Sequence, residues 1–349
     1  MKYQKFIIPG AIGCLLLVSY IGLGIYRSGQ EEKRLEDWLY DNELDGFVQW
    51  QSVSASPFGS TVTVSGVEVV VDAAPFKGLE VSVEELRIKD STNEPDLKSI
   101  DLEFEGVTFP SSDDQPSALV KLLFAELLAG SGRDQLQPLD LSIQARYDDD
   151  ASEADMSFSL RLPELFAAAG SAQMANVRNL DSLLEGVTTL AVDSSFLGSR
   201  DLRRMLANQL GVLDDLNEAE RRLRGIELGD SSFMLEDLGY FKRRNLLKQR
   251  YDYALDPVKG DADEQRREAF ERDLRKQEKD CREKLPRGMD DGEQACADIL
   301  ALLNGQSDGF RVISEPEERV RLGDLELALQ KPERASRLVE RLNQRVEAL

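Results

Sequence analysis

The side chains that most often carry chemistry are sparse in this chain. Histidine is absent. Without an imidazole, neither a Ser-His-Asp nor a Cys-His arrangement can be assembled, and no His-ligated metal site can form. Cysteine occurs only at Cys14, Cys281 and Cys296. Cys14 falls in an apolar run, where a lipoprotein signal Ala11-Ile12-Gly13-Cys14 competes with an ordinary membrane residue. Cys281 and Cys296 read as a disulfide in an oxidising compartment, with two unlinked thiols as the alternative. Closing a loop of about 15 residues stabilises by about 3 kcal/mol in the chain-entropy model. Two sulfurs without an imidazole make a poor metal site.

Two groups of carboxylates invite a calcium reading. One is Asp148, Asp149 and Asp150 with Glu153 and Asp155; the other is Asp256, Asp261, Asp263 and Glu264. Neither places alternating ligands before a glycine as a calcium loop does, so solvated acidic turns are expected. Paired carboxylates for glycoside chemistry cannot be picked out among 65 acidic residues. The sequence holds no glycine-rich phosphate loop, no Gly-Lys dipeptide, no Gly-x-Ser-x-Gly elbow and no Ser-x-x-Lys. The expectation is a protein that is not an enzyme and uses no cofactor and no metal.

Charge narrows the partners. The 349 residues carry 65 acidic and 43 basic side chains, a formal net of −22. Such a surface repels phosphate backbones, so no nucleic-acid partner is expected. It also disfavours lying flat on anionic headgroups. A hydrophobic share of 41% permits a substantial core.

Residues 6–26 form an apolar run without a charge. At about 1.5 Å per residue it spans about 31 Å, the thickness of a bilayer's hydrocarbon core. Lys2 and Lys5 on one side, with Tyr20 and Tyr26 toward the other, predict a cytoplasmic N-terminus and a translocated bulk. A cleaved signal peptide is the competing reading, though Arg27-Ser-Gly-Gln-Glu-Glu fits a cleavage site poorly. The chain contains no Asn-x-Ser/Thr sequon, which points to a bacterial periplasm. The membrane bilayer is thus an expected partner, and the expected location is the bacterial inner membrane, crossed once.

The elements follow from periodicity. Residues 1–5 are a cytoplasmic tip, 6–26 a transmembrane anchor, and 27–45 a helical stalk with Leu35, Trp38, Leu39 and Leu44 in a stripe. Residues 46–198 are β-rich. Ser56-Pro57-Phe58-Gly59-Ser60 is a turn. The apolar phase slips by one at Ser65-Gly66, as at a β-bulge. Val62-Thr-Val-Ser-Gly66-Val-Glu-Val and Leu102-Glu-Phe-Glu-Gly106-Val-Thr-Phe share one pattern, read equally well as equivalent strands or as coincidence. A nearly all-apolar helix over 116–129 needs cover, most simply from the sheet. Residues 139–147 and 156–162 make a hairpin with an acidic tip, 164–186 are partly helical, and Leu190 to Phe196 is a strand. Residues 199–349 mix helix and strand around a disulfide-stapled helical hairpin. Helices are expected at 200–224, 238–250, 262–284, 293–304 and 333–348, strand at 225–236, and extended chain at 318–330. Asp261 and Glu264 suit a capping box, with Glu268/Arg272 and Glu271/Arg275 as four-apart pairs.

The first third resembles the AsmA-like envelope proteins of Gram-negative bacteria. The resemblance lies in one membrane helix, the tract Trp50-Gln-Ser-Val-Ser-Ala-Ser-Pro57-Phe-Gly, Val-Thr-Val-Ser-Gly66-Val-Glu-Val, Leu79-Glu-Val-Ser-Val-Glu-Glu-Leu-Arg-Ile88, and the Leu-Glu-Phe-Glu-Gly106-Val strand. It implies envelope maintenance and a β-groove that accommodates lipid. The fold expected is α+β: an N-terminal transmembrane helix, then a curved, mostly antiparallel sheet packed with helices. Its candidate groove lining is Val62, Val64, Val81, Val83, Leu102 and Phe104, open to lipid or another hydrophobic ligand or filled by helix 116–129. The alternative function is an interaction or scaffold subunit of an envelope protein complex.

Overall fold

Apolar alternation becomes strand wherever a neighbour supplies a partner. A computed structural model of the protein describes residues 48–55, 61–71, 79–93, 97–109, 125, 127–133, 136–177, 221–256, 258, 260–284, 292–330 and 332–349. The strands are β1 Val48–Gln49, β2 Ser52–Ala55, β3 Val62–Val71, β4 Leu79–Asn93, β5 Leu97–Val107, β6 Leu139–Asp148, β7 Glu153–Leu162, β8 Phe166–Ala175, β9 Glu227–Asp237, β10 Gly309–Ser314, β11 Val320–Arg321 and β12 Gln344–Ala348. The helices are α1 Tyr240–Tyr251, α2 Ala262–Lys284, α3 Gly292–Leu303, α4 Leu322–Gln330 and α5 Pro332–Leu342, with helical ends at 127–131 and 221–225.

All twelve strands belong to one sheet in the order β1-β3-β4-β5-β6-β7-β8-β9-β10-β12, with β2 paired to β3 and β11 to β9. The path has two free ends, so the sheet is open. This corrects the α+β expectation: the described residues are predominantly antiparallel strand, and helices are few. No helix among the described residues is long and apolar enough to cross a membrane. The anchor at 6–26, the stalk at 27–45, the turn at 56–60, the strand at 190–196 and most of the helices at 116–129 and 200–224 lie outside the described residues.

Three further expectations are corrected. Within the stretch 164–186, expected to be partly helical, residues 166–175 form the strand β8, and 178–186 lie outside the described residues. A turn through Pro163 and Glu164, closed by Leu165 N–H to Leu162 O at 3.1 Å, returns the chain beside β7. Pairing on both sides then outweighs alanine's helix propensity. Residues 318–330 are not extended. After the two-residue β11 they form α4, because Leu325 and Ala328 pack with Val320, Leu338 and Leu342. The terminal helix stops at Leu342, one residue before Asn343 turns left-handed at φ 46°. The last residues instead form β12 along β10.

The chain divides into two compact units. The first comprises Met1–Phe124, Pro138–Phe158 and Gln173–Glu227; the second comprises Ala125–Gln137, Ser159–Ala172 and Leu228–Leu349. In the first unit the apolar positions of β3 to β6 form cross-strand rows. Val64, Leu86, Phe104 and Leu141 make one row; Val62, Ile88, Leu102 and Ile143 make the next.

The phase slip expected at Gly66 is present, but it is not a bulge confined to β3. Register between β3 and β4 runs on unchanged through Ser65↔Glu85 and Val67↔Val83. Gly66 is therefore level with Glu84, and Glu84 with Gly106, since Glu85↔Glu105 and Ser82↔Thr108 flank that pair. Three adjacent strands change phase on one line. The mismatch surfaces only against β6, where pairing moves from Phe104↔Leu141 to Val107↔Leu139. Both glycines are left-handed, at φ 62° and 64°. The repeat is thus two equivalent strands on either side of β4. A side chain at Gly106 would meet Glu84 Cβ at 2.8 Å. Gly106→Ala is expected to cost about 1–3 kcal/mol from the left-handed backbone alone, plus the clash. Glu84→Gly should return part of that loss, with a coupling of about 0.5–3 kcal/mol, readable by urea denaturation.

Candidate functional site

Five of the six expected lining residues are buried. Val64, Leu102 and Phe104 are 1% exposed, Val83 is 3% and Val81 is 6%; only Val62 is half-buried. The chain itself covers these side chains. Each large aliphatic or aromatic group removed from water contributes about 1.5–3 kcal/mol, so such rows act as a core. The glycine line divides them: Val81 and Val83 lie on one side, while Val62, Val64, Leu102 and Phe104 lie on the other. The opposite face of β4 and β5 is charged. Arg87 reaches Glu85 at 2.5 Å and Glu105 at 2.6 Å, and Lys89 pairs with Glu103. These pairs are about a third exposed, and pairs of that kind contribute little to stability.

The acidic groups serve turns and caps. Asp148 Oδ1 accepts from Ala151 N–H at 2.9 Å at the β6–β7 tip, where Ser152 is left-handed at φ 54°. Tyr147 donates its hydroxyl to Asp149 and lies 3.1 Å from Val177 O. Asp261 Oδ1 accepts from the N–H groups of Asp263 at 2.8 Å and Glu264 at 3.0 Å, the N-cap geometry of α2. Among the described residues, no group of three or more carboxylates and cysteines is placed to hold a metal ion.

The second unit carries a stapled pair of helices. Cys281 and Cys296 are disulfide-bonded, joining the end of α2 to α3. Cys296 is 1% exposed. The solvent face of α2 bears a ladder of pairs, including Glu268–Arg272 and Glu271–Arg275 at 3.8 Å and Glu278–Arg282 at 2.7 Å. Its other face holds a polar node. Tyr253 donates to Asp273 at 2.8 Å, and Lys248 of α1 donates to the same carboxylate oxygen at 3.2 Å. The Tyr253 hydroxyl and Lys248, working against burial, hold the Asp273 carboxyl below its usual range. Burial, then the hydrogen bond to Asp273, pushes Tyr253 up.

The signs give a pH prediction. A depressed carboxyl stabilises above its unfolded value of about 3.9 and loses that contribution as pH falls below it. A raised tyrosine stabilises below its unfolded value of about 10 and loses that contribution as pH rises beyond it. Denaturation midpoints across pH 3–11 should therefore fall at both ends. Tyr253→Phe should remove the node's alkaline fall and shrink its acid one.

The helix expected at 238–250 forms as α1, but its charge was missed. Its residues, Tyr-Phe-Lys-Arg-Arg-Asn-Leu-Leu-Lys-Gln-Arg-Tyr, carry five cations and no carboxylate in a chain of net −22. That local inversion of charge was the available signal. Asp237 caps the helix, accepting from Gly239 and Phe241 N–H at 3.1 Å. Arg243 bonds inward to Ser131 O at 3.1 Å and to Glu164 O. Asn245 donates to Leu303 O at 2.9 Å.

No protein-family model matches the chain, and no curated protein matches it.

Proposed function

We propose that this protein is a non-catalytic scaffold subunit of a bacterial cell-envelope assembly, tethered to the inner membrane through residues 6–26 with its folded mass on the periplasmic side. The uncharged apolar run and the lysines before it support the tether. The Cys281–Cys296 bond supports an oxidising compartment. The likeness of residues 47–109 to AsmA-like proteins supports the envelope. The observation that carries the scaffold reading is burial of the expected groove: Val64, Val81, Val83, Leu102 and Phe104 are covered by the chain's own residues. The solvated surface, above all the long charged face of α2, is then what a partner can meet.

A second reading has the same face hold a lipid or another hydrophobic ligand. The continuity of its apolar rows across β3–β6 favours it, but it requires the covering chain to move aside. Native mass spectrometry of the detergent-solubilised protein separates the two. The scaffold reading expects the chain without phospholipid and in fixed stoichiometry with an envelope protein. One tightly retained phospholipid per chain overturns it in favour of the second reading. Covalent labelling of a serine by an activity-based probe overturns the non-catalytic assignment.

A further inference from the structure

The two free ends of the sheet are unlike. At one end β1 and β2, two and four residues long, share the edge of β3 with a break between them. At the other end β12 is regular. Its five residues pair with β10 without a break, from Phe310↔Ala348 to Ser314↔Gln344. Among the described residues no strand pairs with its outer side. Proteins blunt such edges with proline, lysine or a bulge. Gln344-Arg-Val-Glu-Ala348 has none of these.

Leu349 N–H donates to Gly309 O at 3.0 Å, so the odd-numbered residues of this segment turn their backbone groups toward β10. In an antiparallel ladder the alternate residues face the other way. Gln344, Val346 and Ala348 therefore present N–H and C=O at the open edge, symmetrically about Val346. The side chains share that symmetry with charge reversed. Arg345 and Glu347 are exposed, one on each side of Val346. Arg345 donates to Glu315 at 2.7 Å and 3.2 Å and to Glu347 at 3.2 Å. A guanidinium has five N–H donors, and these bonds use three. Arg311 stands opposite Glu347 across the ladder. Arg311 and Arg345 thus balance Glu315 and Glu347 at this edge, in a chain of net −22.

We propose that the outer edge of β12 pairs antiparallel with the same edge of a second copy of this chain, about a two-fold axis at Val346. Val346 then opposes the second copy's Val346, and Gln344 opposes the second copy's Ala348. Every outward N–H and C=O of the strand meets its complement. Arg345 opposes the second copy's Glu347, and Glu347 the second copy's Arg345. A two-fold contact requires a surface complementary to itself, and this strand supplies one in both backbone and charge. It does so in one register. A shift of one residue sets outward groups against inward ones. A shift of two sets Arg345 against Arg345 or Glu347 against Glu347, and directly opposed like charges destabilise. A strand from a different protein would need no such symmetry. The chain's overall acidity is screened beyond about 8 Å at physiological salt, while the edge itself is neutral. The pairing stands independently of the membrane tether proposed above.

The test uses the full chain in detergent, on a Cys14→Ser background, under mild oxidation. Directly opposed residues of an antiparallel pair lie about 4.5–5.5 Å apart, within disulfide reach. A mixture of Arg345→Cys and Glu347→Cys chains should therefore cross-link, with the native ion pair kept on the other side of the axis. Glu347→Cys alone should not, because an offset of two residues along the strand separates its Cα atoms by about 8 Å. The mixture should exceed it about tenfold or more in cross-linked yield. Val346→Pro in both chains removes only an outward N–H, which an edge strand tolerates, and should abolish the mixed cross-link, whereas Val346→Ala should keep it. Equal cross-linking by Glu347→Cys alone reports collision without register and overturns the pairing. A mixture that does not cross-link overturns it too, and is the result expected if a strand of a different protein occupies this edge. The cysteine pattern decides the matter even where Val346→Pro fails to fold.

Discussion

Replacing Phe104 by alanine is expected to cost about 3–5 kcal/mol of folding stability. The side chain is 1% exposed and sits between Leu86 and Leu141 in a row spanning four strands. Truncation leaves a cavity that β-sheet hydrogen bonds on both sides hold open. Glu105→Ala, one residue along on the charged face, should stay within about 0.5 kcal/mol as a surface substitution. Urea denaturation of the two variants reads the difference. A loss below about 1 kcal/mol at Phe104 is what an open, solvent-washed face would give, and it contradicts the closed core.

The second large effect belongs to the staple. Removing the disulfide with Cys281→Ser and Cys296→Ala should cost about 2–4 kcal/mol. The cost should concentrate in the second unit. The solvent face of α2 is held by pairs four apart, each worth about 0.3–0.5 kcal/mol. Such a helix depends on its bonds to α1 and on the link to α3, whose Leu302 is fully buried. Hydrogen exchange should show α2 amides losing protection while β3–β5 keep theirs. Uniform loss across both regions would mean that the staple supports the whole fold rather than its own unit.

Much of the strand pattern was legible because alternation is a strong signal when one face is buried. Val62, Val64, Val81, Val83, Leu102 and Phe104 could be picked out as candidate lining from spacing, while the glycine repeat left equivalent strands and coincidence evenly matched. Spacing could not say that Gly66, Glu84 and Gly106 share a level, because that depends on cross-strand register. Nor could it say that the face would be covered. Alanine at 167–169 has no strand signal of its own; the turn at Pro163 and Glu164 makes β8. Gln344 to Ala348 have the composition of a helix end, and only the free edge of β10 makes them a strand. At 318–330 an extended chain was expected, while Leu325 and Ala328, three apart, pack α4 with Val320, Leu338 and Leu342. The disulfide was readable because only two cysteines lie outside the apolar run. The cationic α1 was readable too, but a net charge summed over the whole chain conceals a short region of opposite sign.

Closure of the sheet face is tested most directly by thiol labelling at two adjacent positions of β4. In a Cys14→Ser background free of bound lipid, Val83→Cys lies on the buried face and Glu84→Cys is exposed. A buried thiol reacts only through opening, so Val83→Cys should label about 100-fold or more slowly than Glu84→Cys, and denaturant should erase the difference. Comparable rates at the two positions in the folded protein would contradict a face filled by the chain itself.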